Sequence, residues 1–263
     1  MTIDSLAAWL RCPVCTERLE PVERLTLGCA AGHRFDVNKR GYVTLVAGNS
    51  GLSGDSAEML ASRERVLESG LYSPIAAVLA ELGVGQAVLD AGAGTGYYLR
   101  AMLAANPGAH GLAMDLSPAA VAHAVRPGPG TPESGALEPV IDGLVADIWQ
   151  PLPIRDGVCD VILNVFAPRN LAEFHRVLRP GGSLLVVVPH AEHLAELRAG
   201  GRMLDVPPDK AGTVIDAAAP LFALGEQRTV RETIPLTAEV ADALVGMGPS
   251  AHHRRSEAGA PPR

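Results

Sequence analysis

The chain has 263 residues, a net charge of −7 and a hydrophobic content of 48%. This composition is that of a folded globular protein and excludes a disordered one. The lack of any run of about 18 apolar residues excludes a membrane-spanning helix, and the acidic balance argues against a generic polyanion-binding protein.

The start of the chain lacks the basic region and the long apolar stretch of a secretory signal peptide. We therefore expect a cytoplasmic location, where cysteines stay reduced. In that environment, clustered cysteines bind a metal more often than they form disulfides.

The first motif is a cysteine and histidine cluster with the spacing Cys12-x2-Cys15-x13-Cys29-x3-His33. Two close pairs separated by a hairpin-sized loop can place four ligands around one tetrahedral Zn²⁺. Because protein side chains fill all four positions, we expect a structural zinc rather than a catalytic one. A segment this small has little core, so metal binding would supply its folding energy.

A second region, residues 74–189, alternates helix and strand patterns, which predicts a doubly wound parallel sheet. The expected strands are 87–90, one that ends at Asp115, 143–149, 159–168 and 183–189, with helices over 74–83 and 170–178. Shorter strands are expected beside the metal cluster, at 25–27 and 34–37. The predicted fold class is α/β, with a small zinc-ribbon domain at the N-terminus.

A glycine-rich loop follows the first strand of this region and reads Asp90-x-Gly92-x-Gly94-x-Gly96. Glycines allow a sharp turn and the close approach of a ligand. The alternative is the dinucleotide fingerprint G-x-G-x-x-G, but here the third glycine comes one residue early and an acidic residue precedes the loop. An acidic residue there suits a cofactor with an ammonium group, such as the methionine end of S-adenosylmethionine.

Two further acidic residues close strands of the same region. Asp115 can accept hydrogen bonds from both ribose hydroxyls, and at Asp147-Ile148 a side chain can bond the adenine amino group. Either aspartate alone could be a helix cap or a solvated strand end. Together with the glycine loop and "LRPGG" before the fifth strand, they resemble the class I (Rossmann-like) S-adenosylmethionine-dependent methyltransferases.

Further segments extend the resemblance over most of the chain, namely "CPVC", "CAAGHRFDVNKRGYVTLV", "GDSAEM", "NVFAPR" and "VGMGPSAHH". In that order they resemble the RlmA family of 23S ribosomal RNA (guanine-N1)-methyltransferases. The Gram-positive branch, which includes macrolide (tylosin-type) resistance methyltransferases of antibiotic producers, is the most similar. The resemblance implies a guanine in hairpin 35 of 23S rRNA as the substrate.

The resemblance also implies roles for individual residues. The zinc ligands would be the four residues of the metal cluster. The cofactor contacts would be Tyr72, the Gly94-Thr95-Gly96 segment, Asp115 and His193. Without the resemblance, Tyr72 reads as a packing aromatic and His193 as a surface helix residue.

Basic residues next to the metal cluster are candidates for RNA contacts. Because the methyltransferase region is acidic, we expect Arg34, Lys39 and Arg40 to meet RNA phosphates beside the cofactor cleft. The alternative is that these residues form an ordinary solvated face.

The end of the fourth strand provides the candidates for substrate contact. Asn164 cannot act as a general base, but its amide can orient the edge of the guanine. Phe166 could stack on the guanine, although a core position is expected for an aromatic residue in this strand. No dedicated general base is evident in the sequence.

Two other functions share parts of this pattern. A small-molecule methyltransferase of secondary metabolism would share the cofactor motifs but would have no use for the zinc ribbon. A non-catalytic RNA-binding protein would keep the fold with an idle cofactor site, and the intact glycines and acidic residues argue against it.

The expected organisation is a zinc domain over 1–46, a linker and helix over 47–73, the methyltransferase domain over 74–250 and a disordered tail over 251–263. Class I methyltransferases end in an antiparallel strand pair, for which 227–237 provides one candidate strand, followed by a helix at 238–247. No second candidate is found. Either a second subunit of a homodimer covers the open sheet edge, or the domain is less stable than its relatives.

Overall fold

A computed structural model describes residues 2–46, 54–127 and 140–248. The chain divides into two compact units. The sheet unit comprises Met1–Asp55 and Ala76–Val187, and the helical unit comprises Ser56–Ile75 and Val188–Arg263. Among the described residues, no helix is long and apolar enough to cross a membrane.

The sheet unit begins with a short helix and a small antiparallel ribbon. The elements are α1 (Ile3–Trp9), β1 (Glu20–Glu23), β2 (Thr26–Gly28), β3 (Arg34–Asn38) and β4 (Tyr42–Thr44). Thr2 and Ser5 form a capping box that begins α1. The two short strands expected beside the metal cluster are therefore confirmed to within one residue.

The larger part of the sheet unit alternates strands and helices. In chain order, after helix α2 (Ala57–Glu68) of the other unit, the elements are α3 (Ser73–Leu82), β5 (Ala87–Ala91), α4 (Tyr97–Ala105), β6 (His110–Asp115), α5 (Pro118–Ala124), β7 (Val140–Val145), β8 (Cys159–Val165), α6 (Leu171–Val177) and β9 (Leu178–Val187). The predicted α/β class is confirmed. The third strand begins three residues earlier than expected and ends at Val145.

In the described part of the chain, nine strands form one sheet in the order β1-β2-β3-β4-β7-β6-β5-β8-β9. The pairings from β4 to β9 are all parallel. The carboxyl ends of these strands therefore share one side of the sheet, which we call the carboxyl edge. Ligands of open α/β sheets bind at this side.

The register of β3 and β4 decides where the ribbon's basic residues lie. These strands pair antiparallel, with Asn38 opposite Tyr42. Arg34, at the start of β3, is therefore at the carboxyl edge, whereas Lys39 and Arg40 lie in the turn at the opposite side. This corrects the expectation that Lys39 and Arg40 lie beside the cofactor cleft.

A buried aspartate of β7 anchors α1 to the sheet. Asp142 is fully buried and accepts hydrogen bonds from Ser5 Oγ at 2.8 Å and from Trp9 Nε1 at 3.2 Å. Burial raises the pKa of Asp142 to about 6. The ribbon and the parallel strands are thus joined by buried side chains as well as by the pairing of β4 with β7.

The helical unit contains α2, α7 (Ala195–Ala199), α8 (Lys210–Ala218) and α9 (Ala238–Gly246). The packing of α2 and α9 includes a 3.1 Å hydrogen bond from an Arg63 guanidinium nitrogen to the Met247 carbonyl. The expected helix after residue 237 is confirmed by α9.

The expected strand at 227–237 is wrong. This segment has no regular structure, and all but one of its residues are exposed. Its β-branched residues favour a strand only where a neighbour pairs with them, and among the described residues no strand pairs with the segment. The predicted disordered tail at 251–263 lies outside the described residues.

Candidate zinc site and cofactor site

The four cluster residues meet at one point of the ribbon. Their ligand atoms all lie within 4.8 Å of one another. The separations are 3.6 Å for Cys15 Sγ to Cys29 Sγ, 3.3 Å for Cys29 Sγ to His33 Nδ1 and 3.6 Å for Cys12 Sγ to His33 Nδ1. Zinc–sulfur bonds of about 2.3 Å at tetrahedral angles separate two sulfurs by about 3.8 Å. The donor set and its spacing therefore fit a structural zinc ion.

Backbone hydrogen bonds shape the two turns that present these ligands, which we call the zinc knuckles. In the first, the Thr16 amide donates to the Cys12 carbonyl at 2.9 Å, and Thr16 has a φ of 63°. In the second, the Gly32 amide donates to the Cys29 carbonyl at 3.0 Å. The Val14 amide also points at Cys12 Sγ at 3.4 Å, which stabilises a thiolate there.

Arg34 supports the second zinc knuckle. Its guanidinium donates to the carbonyls of Cys29 at 3.4 Å and of His33 at 3.1 Å. This geometry favours a structural role for Arg34 in place of an RNA contact. Phosphate contacts by Arg34, Lys39 and Arg40 stay a prediction.

The glycine loop lies at the carboxyl edge, between β5 and α4. Gly92, Gly94 and Gly96 have φ values of 89°, 52° and 76°, which favour glycine. A Cβ atom on Gly92 would lie 2.5 Å from the Ala167 side chain, and one on Gly96 would lie 2.8 Å from the Ala124 side chain. The sequence therefore needs glycine at these two positions both for conformation and for space.

Asp115 holds the loop in place from the end of β6. Its Oδ2 accepts a hydrogen bond from the Gly94 amide and its Oδ1 accepts one from the Ser117 amide, both at 2.9 Å. Thr95 between the glycines is buried. A carboxylate can accept several hydrogen bonds, and the contact of Asp115 with ribose hydroxyls stays a prediction.

Asp90 is a buried acidic residue with one carboxylate oxygen unpaired among the described residues. It is 1% exposed, and within the described residues its Oδ2 has no hydrogen-bond partner. Burial and the nearby Asp115 carboxylate raise the pKa of Asp90 to about 7. An ammonium group brought to this position would satisfy the carboxylate, as expected for the methionine end of S-adenosylmethionine.

The predicted adenine contacts follow β7. Asp147 is buried, and its Oδ1 accepts a hydrogen bond from the Trp149 amide at 2.9 Å. The Ile148 carbonyl accepts one from Asn170 Nδ2 at 3.1 Å. Both residues lie just past the carboxyl end of β7, as expected, and their contact with adenine stays a prediction.

Tyr72 and His193 belong to the helical unit and lie together there. The Tyr72 hydroxyl is 3.5 Å from His193 Nε2, and the rings meet edge to face. Burial raises the pKa of Tyr72 to about 12, and burial together with Arg198 lowers the pKa of His193. At neutral pH both side chains are therefore uncharged, and their contact with the cofactor stays a prediction.

Asn164 is fully buried at the end of β8. Its Nδ2 donates to the Ala91 carbonyl at 3.1 Å and to the Pro168 carbonyl at 2.7 Å, and its Oδ1 accepts from Arg169 Nε at 3.3 Å. These bonds tie the loop after β8 to the start of the glycine loop. They favour a positioning role over the direct contact with guanine that the sequence suggested.

The core position expected for Phe166 is wrong. Phe166 is 41% exposed and has a φ of 53°. Only Val165 and the residues before it belong to the buried strand, because the backbone turns at Phe166. Sequence reasoning also passed over Trp149, which is 58% exposed. Its proximity in sequence to Asp147 was the one signal that could have identified it.

Two family descriptions match the chain. Residues 10–49 match the family described as "RlmA, N-terminal", and residues 89–186 match "Methyltransferase domain". The first match covers the zinc knuckles and the second covers β5 to β9 of the sheet.

Curated relatives match most of the chain. A "Putative 23S rRNA (guanine-N(1)-)-methyltransferase" of Micromonospora griseorubida is 44% identical, covering 93% of this chain and 87% of that protein. The "23S rRNA (guanine(748)-N(1))-methyltransferase" of Streptomyces fradiae is 39% identical, covering 95% and 88%. Among solved structures, a complex of the Haloferax volcanii Trm112 methyltransferase activator with a putative methyltransferase has a TM-score of 0.51 at 20% identity, covering 74% of this chain and 93% of that one. That likeness concerns the fold alone.

Proposed function

Because the chain belongs to the family of 23S rRNA (guanine-N1)-methyltransferases, we propose that it methylates N1 of a guanine in hairpin 35 of 23S rRNA. The methyl donor is S-adenosylmethionine. One observation carries the proposal. The sheet unit has both a complete zinc ligand set and, at its carboxyl edge, a glycine loop beside the buried Asp90, whose Oδ2 has no hydrogen-bond partner among the described residues.

The reaction forms a bond from N1 to the methyl carbon, breaks the sulfonium S–C bond and releases the N1 proton. S-adenosylmethionine supplies a methyl group that is already activated. The chain mainly aligns the two reactants and excludes water. The glycine loop, Asp90 and Asp115 would hold the donor, and Asn164 holds the loop on which the acceptor base would rest.

The acceptor edge of guanine is hidden in a base pair. The target must therefore be an unpaired loop base, or one turned out of its stack into the site. A hairpin loop meets this requirement, which supports hairpin 35 over a continuous duplex.

The zinc ribbon favours RNA over the alternative of a small-molecule substrate. The first zinc knuckle reaches the carboxyl edge, since Pro13 lines the same small cavity as Leu45, Ala146 and Asp147. A small substrate needs no such wall beside the cofactor site, whereas an RNA hairpin needs an extended surface. The non-catalytic alternative gives no reason for a buried carboxylate beside an intact glycine loop, with one oxygen unpaired in the described part of the chain.

Methylation in hairpin 35 would alter the wall of the peptide exit tunnel where macrolides bind. We therefore propose that the activity confers macrolide resistance of the tylosin type. A ribosomal substrate also supports the expected cytoplasmic location. A homodimer through β9, the last strand of the described sheet, stays a prediction that the mass of the protein in solution tests.

Primer extension through hairpin 35 tests the proposed reaction. A methyl group on N1 blocks pairing, so reverse transcriptase should stop at the modified guanine only when protein and S-adenosylmethionine are both present. Asp115→Ala, which loses the loop's anchor, should abolish the stop. The proposal is wrong if the wild-type protein binds S-adenosylmethionine and yet no stop appears in 23S rRNA.

A further inference from the structure

Most of the chain's aromatic side chains are buried or half-buried. It has two tryptophans, four tyrosines and four phenylalanines, and all ten lie in the described residues. Only Trp149, at 58%, and Phe166, at 41%, are exposed. Single exposed apolar residues are normal, so these two matter only if they lie on one surface.

Both exposed aromatics lie on the same side of the sheet. Trp149 follows the carboxyl end of β7, and Phe166 follows the carboxyl end of β8. Their loops are joined by the hydrogen bond from Asn170 Nδ2 to the Ile148 carbonyl at 3.1 Å. The loops that carry the two side chains are therefore in contact at the carboxyl edge.

The backbone at Phe166 is strained. Its φ of 53° lies in the left-handed region, which a bulky side chain rarely adopts. The Phe166 amide donates to the Val187 carbonyl at 3.1 Å, so the sheet holds the residue in this conformation. Such strain persists where the surrounding structure enforces it, and it concentrates at functional sites.

Phe166 is also next to the glycine loop. Its neighbour Ala167 lies so close to Gly92 that a Cβ atom there would come within 2.5 Å. The aromatic ring that follows β8 is therefore carried by the loop that contacts the candidate cofactor site. Asn164 fixes that loop through hydrogen bonds with Pro168 and Arg169 of the loop and with the Ala91 carbonyl at the end of β5.

The loop that carries Trp149 lies beside the zinc ribbon. Asp147 and Gln150, on either side of it in sequence, line the same cavity as Pro13 of the first zinc knuckle. Val14, the next knuckle residue, is 65% exposed. The carboxyl edge thus presents apolar groups from the zinc knuckle, from the loop after β7 and from the loop after β8.

We propose that Phe166 stacks on the target guanine and that Trp149 stacks on a neighbouring unpaired base of the same RNA loop. This inference rests on the proposed RNA substrate and adds the surface that receives it. Stacking suits an acidic chain because it draws on the faces of the bases rather than on phosphate charge. The ribbon then provides the wall beside the second base.

Tryptophan fluorescence tests the role of Trp149 directly. Trp9, the other tryptophan, is 2% exposed, so quenching by RNA would report Trp149. A hairpin 35 transcript should quench the zinc-loaded, full-length protein, and the same strand annealed to its complement should not. Trp149→Phe should lose the signal and keep the affinity, and Trp149→Ala should bind the labelled hairpin about tenfold more weakly.

Phe166 should affect a different step. Phe166→Ala should lower the single-turnover methylation rate at saturating RNA by about tenfold or more, with unchanged affinity for S-adenosylmethionine. Phe166→Tyr should restore the rate, which a merely structural role would not require. Val84→Ala serves as the control, because Val84 is 78% exposed and precedes β5 at the opposite side of the sheet.

The outcomes separate this inference from the proposed function. If the wild-type protein methylates the hairpin while Trp149→Ala and Phe166→Ala bind and react within twofold of it, the stacking surface is wrong and the proposed function stands. If the wild-type protein neither binds nor methylates the hairpin, both are wrong.

Discussion

The zinc knuckles and the glycine loop prepare for their ligands in opposite ways. The knuckles use four side chains, and the separations of these side chains already match a bound ion. The glycine loop uses backbone and leaves the buried Asp90 Oδ2 without a hydrogen-bond partner among the described residues. The zinc site therefore stabilises the ribbon, whereas the cofactor site holds an electrostatic cost that a cationic ligand removes.

The largest effect should come from the metal. Cys29→Ser removes one of four ligands, and structural zinc binding in small domains is worth about 10–16 kcal/mol. We expect loss of zinc, disorder of the ribbon and loss of RNA methylation, with affinity for S-adenosylmethionine within about threefold of wild type. The zinc content of the purified variant checks the metal site, and isothermal titration calorimetry measures the affinity for S-adenosylmethionine.

Cys159→Ala is the matched control for the metal prediction. Cys159 is a buried cysteine of β8 outside the cluster. The variant should keep its zinc and lose only modest stability, about 1 kcal/mol, from a small cavity. If Cys29→Ser lost its affinity for S-adenosylmethionine to the same extent as its RNA methylation, the two sites would not be independent in folding.

A smaller effect is expected from filling space at the glycine loop. Gly92→Ala and Gly181→Ala both place a side chain at positive φ, 89° and 82°, which costs about 1–2 kcal/mol. At Gly181 a Cβ atom meets nothing within 4 Å, whereas at Gly92 it would meet Ala167 at 2.5 Å. Gly92→Ala should lose about 1–3 kcal/mol more and also displace the Phe166 loop.

Thermal unfolding and cofactor affinity distinguish these two variants. Gly181→Ala should lower the unfolding midpoint and leave the affinity for S-adenosylmethionine intact. Gly92→Ala should lower both. Identical behaviour of the two variants would mean that the contact between Gly92 and Ala167 has no energetic consequence.

The features that the sequence predicted are those set by local spacing. The zinc ligands, the glycine loop and the strand end at Asp115 follow from residues within a few positions of one another. Asp90 also follows from its place before the loop. Local patterns were sufficient because each of these features is built within one turn or one strand.

The features that it missed depend on distant contacts. The pairing of β4 with β7 brings the ribbon into the sheet from about 100 residues away in the chain, and no local pattern shows this. The burial of Asn164, the exposure of Trp149 and the turn at Phe166 also depend on neighbours from other strands. The strand expected at 227–237 failed for the same reason, since propensity alone does not provide a pairing partner.

The last prediction concerns Asp90. Burial and the nearby Asp115 raise the pKa of Asp90 to about 7 in the folded protein, from an ordinary value of 3.8. The folded state therefore binds a proton more tightly than the unfolded state, so the free energy of unfolding falls as pH rises from about 4 to 7. Asp90→Asn has no carboxyl group at this position, so its free energy of unfolding should not fall in this way. Its ligand-free form should therefore unfold at a higher temperature than wild type at pH 8.

The affinity for the cofactor should depend on pH in the opposite direction and increase as the pH rises. An ammonium group favours ionised Asp90, so below pH 7 binding must expel a proton, and the dissociation constant of the wild type should rise about tenfold from pH 8 to pH 6. Asp90→Asn should bind S-adenosylmethionine at least about tenfold more weakly at pH 8, with no such pH dependence. Calorimetry in two buffers of different ionisation enthalpy would detect the proton. A gain in stability together with a loss of affinity in one variant identifies Asp90 as a residue kept for its ligand, because a carboxylate kept for folding would show a loss in both.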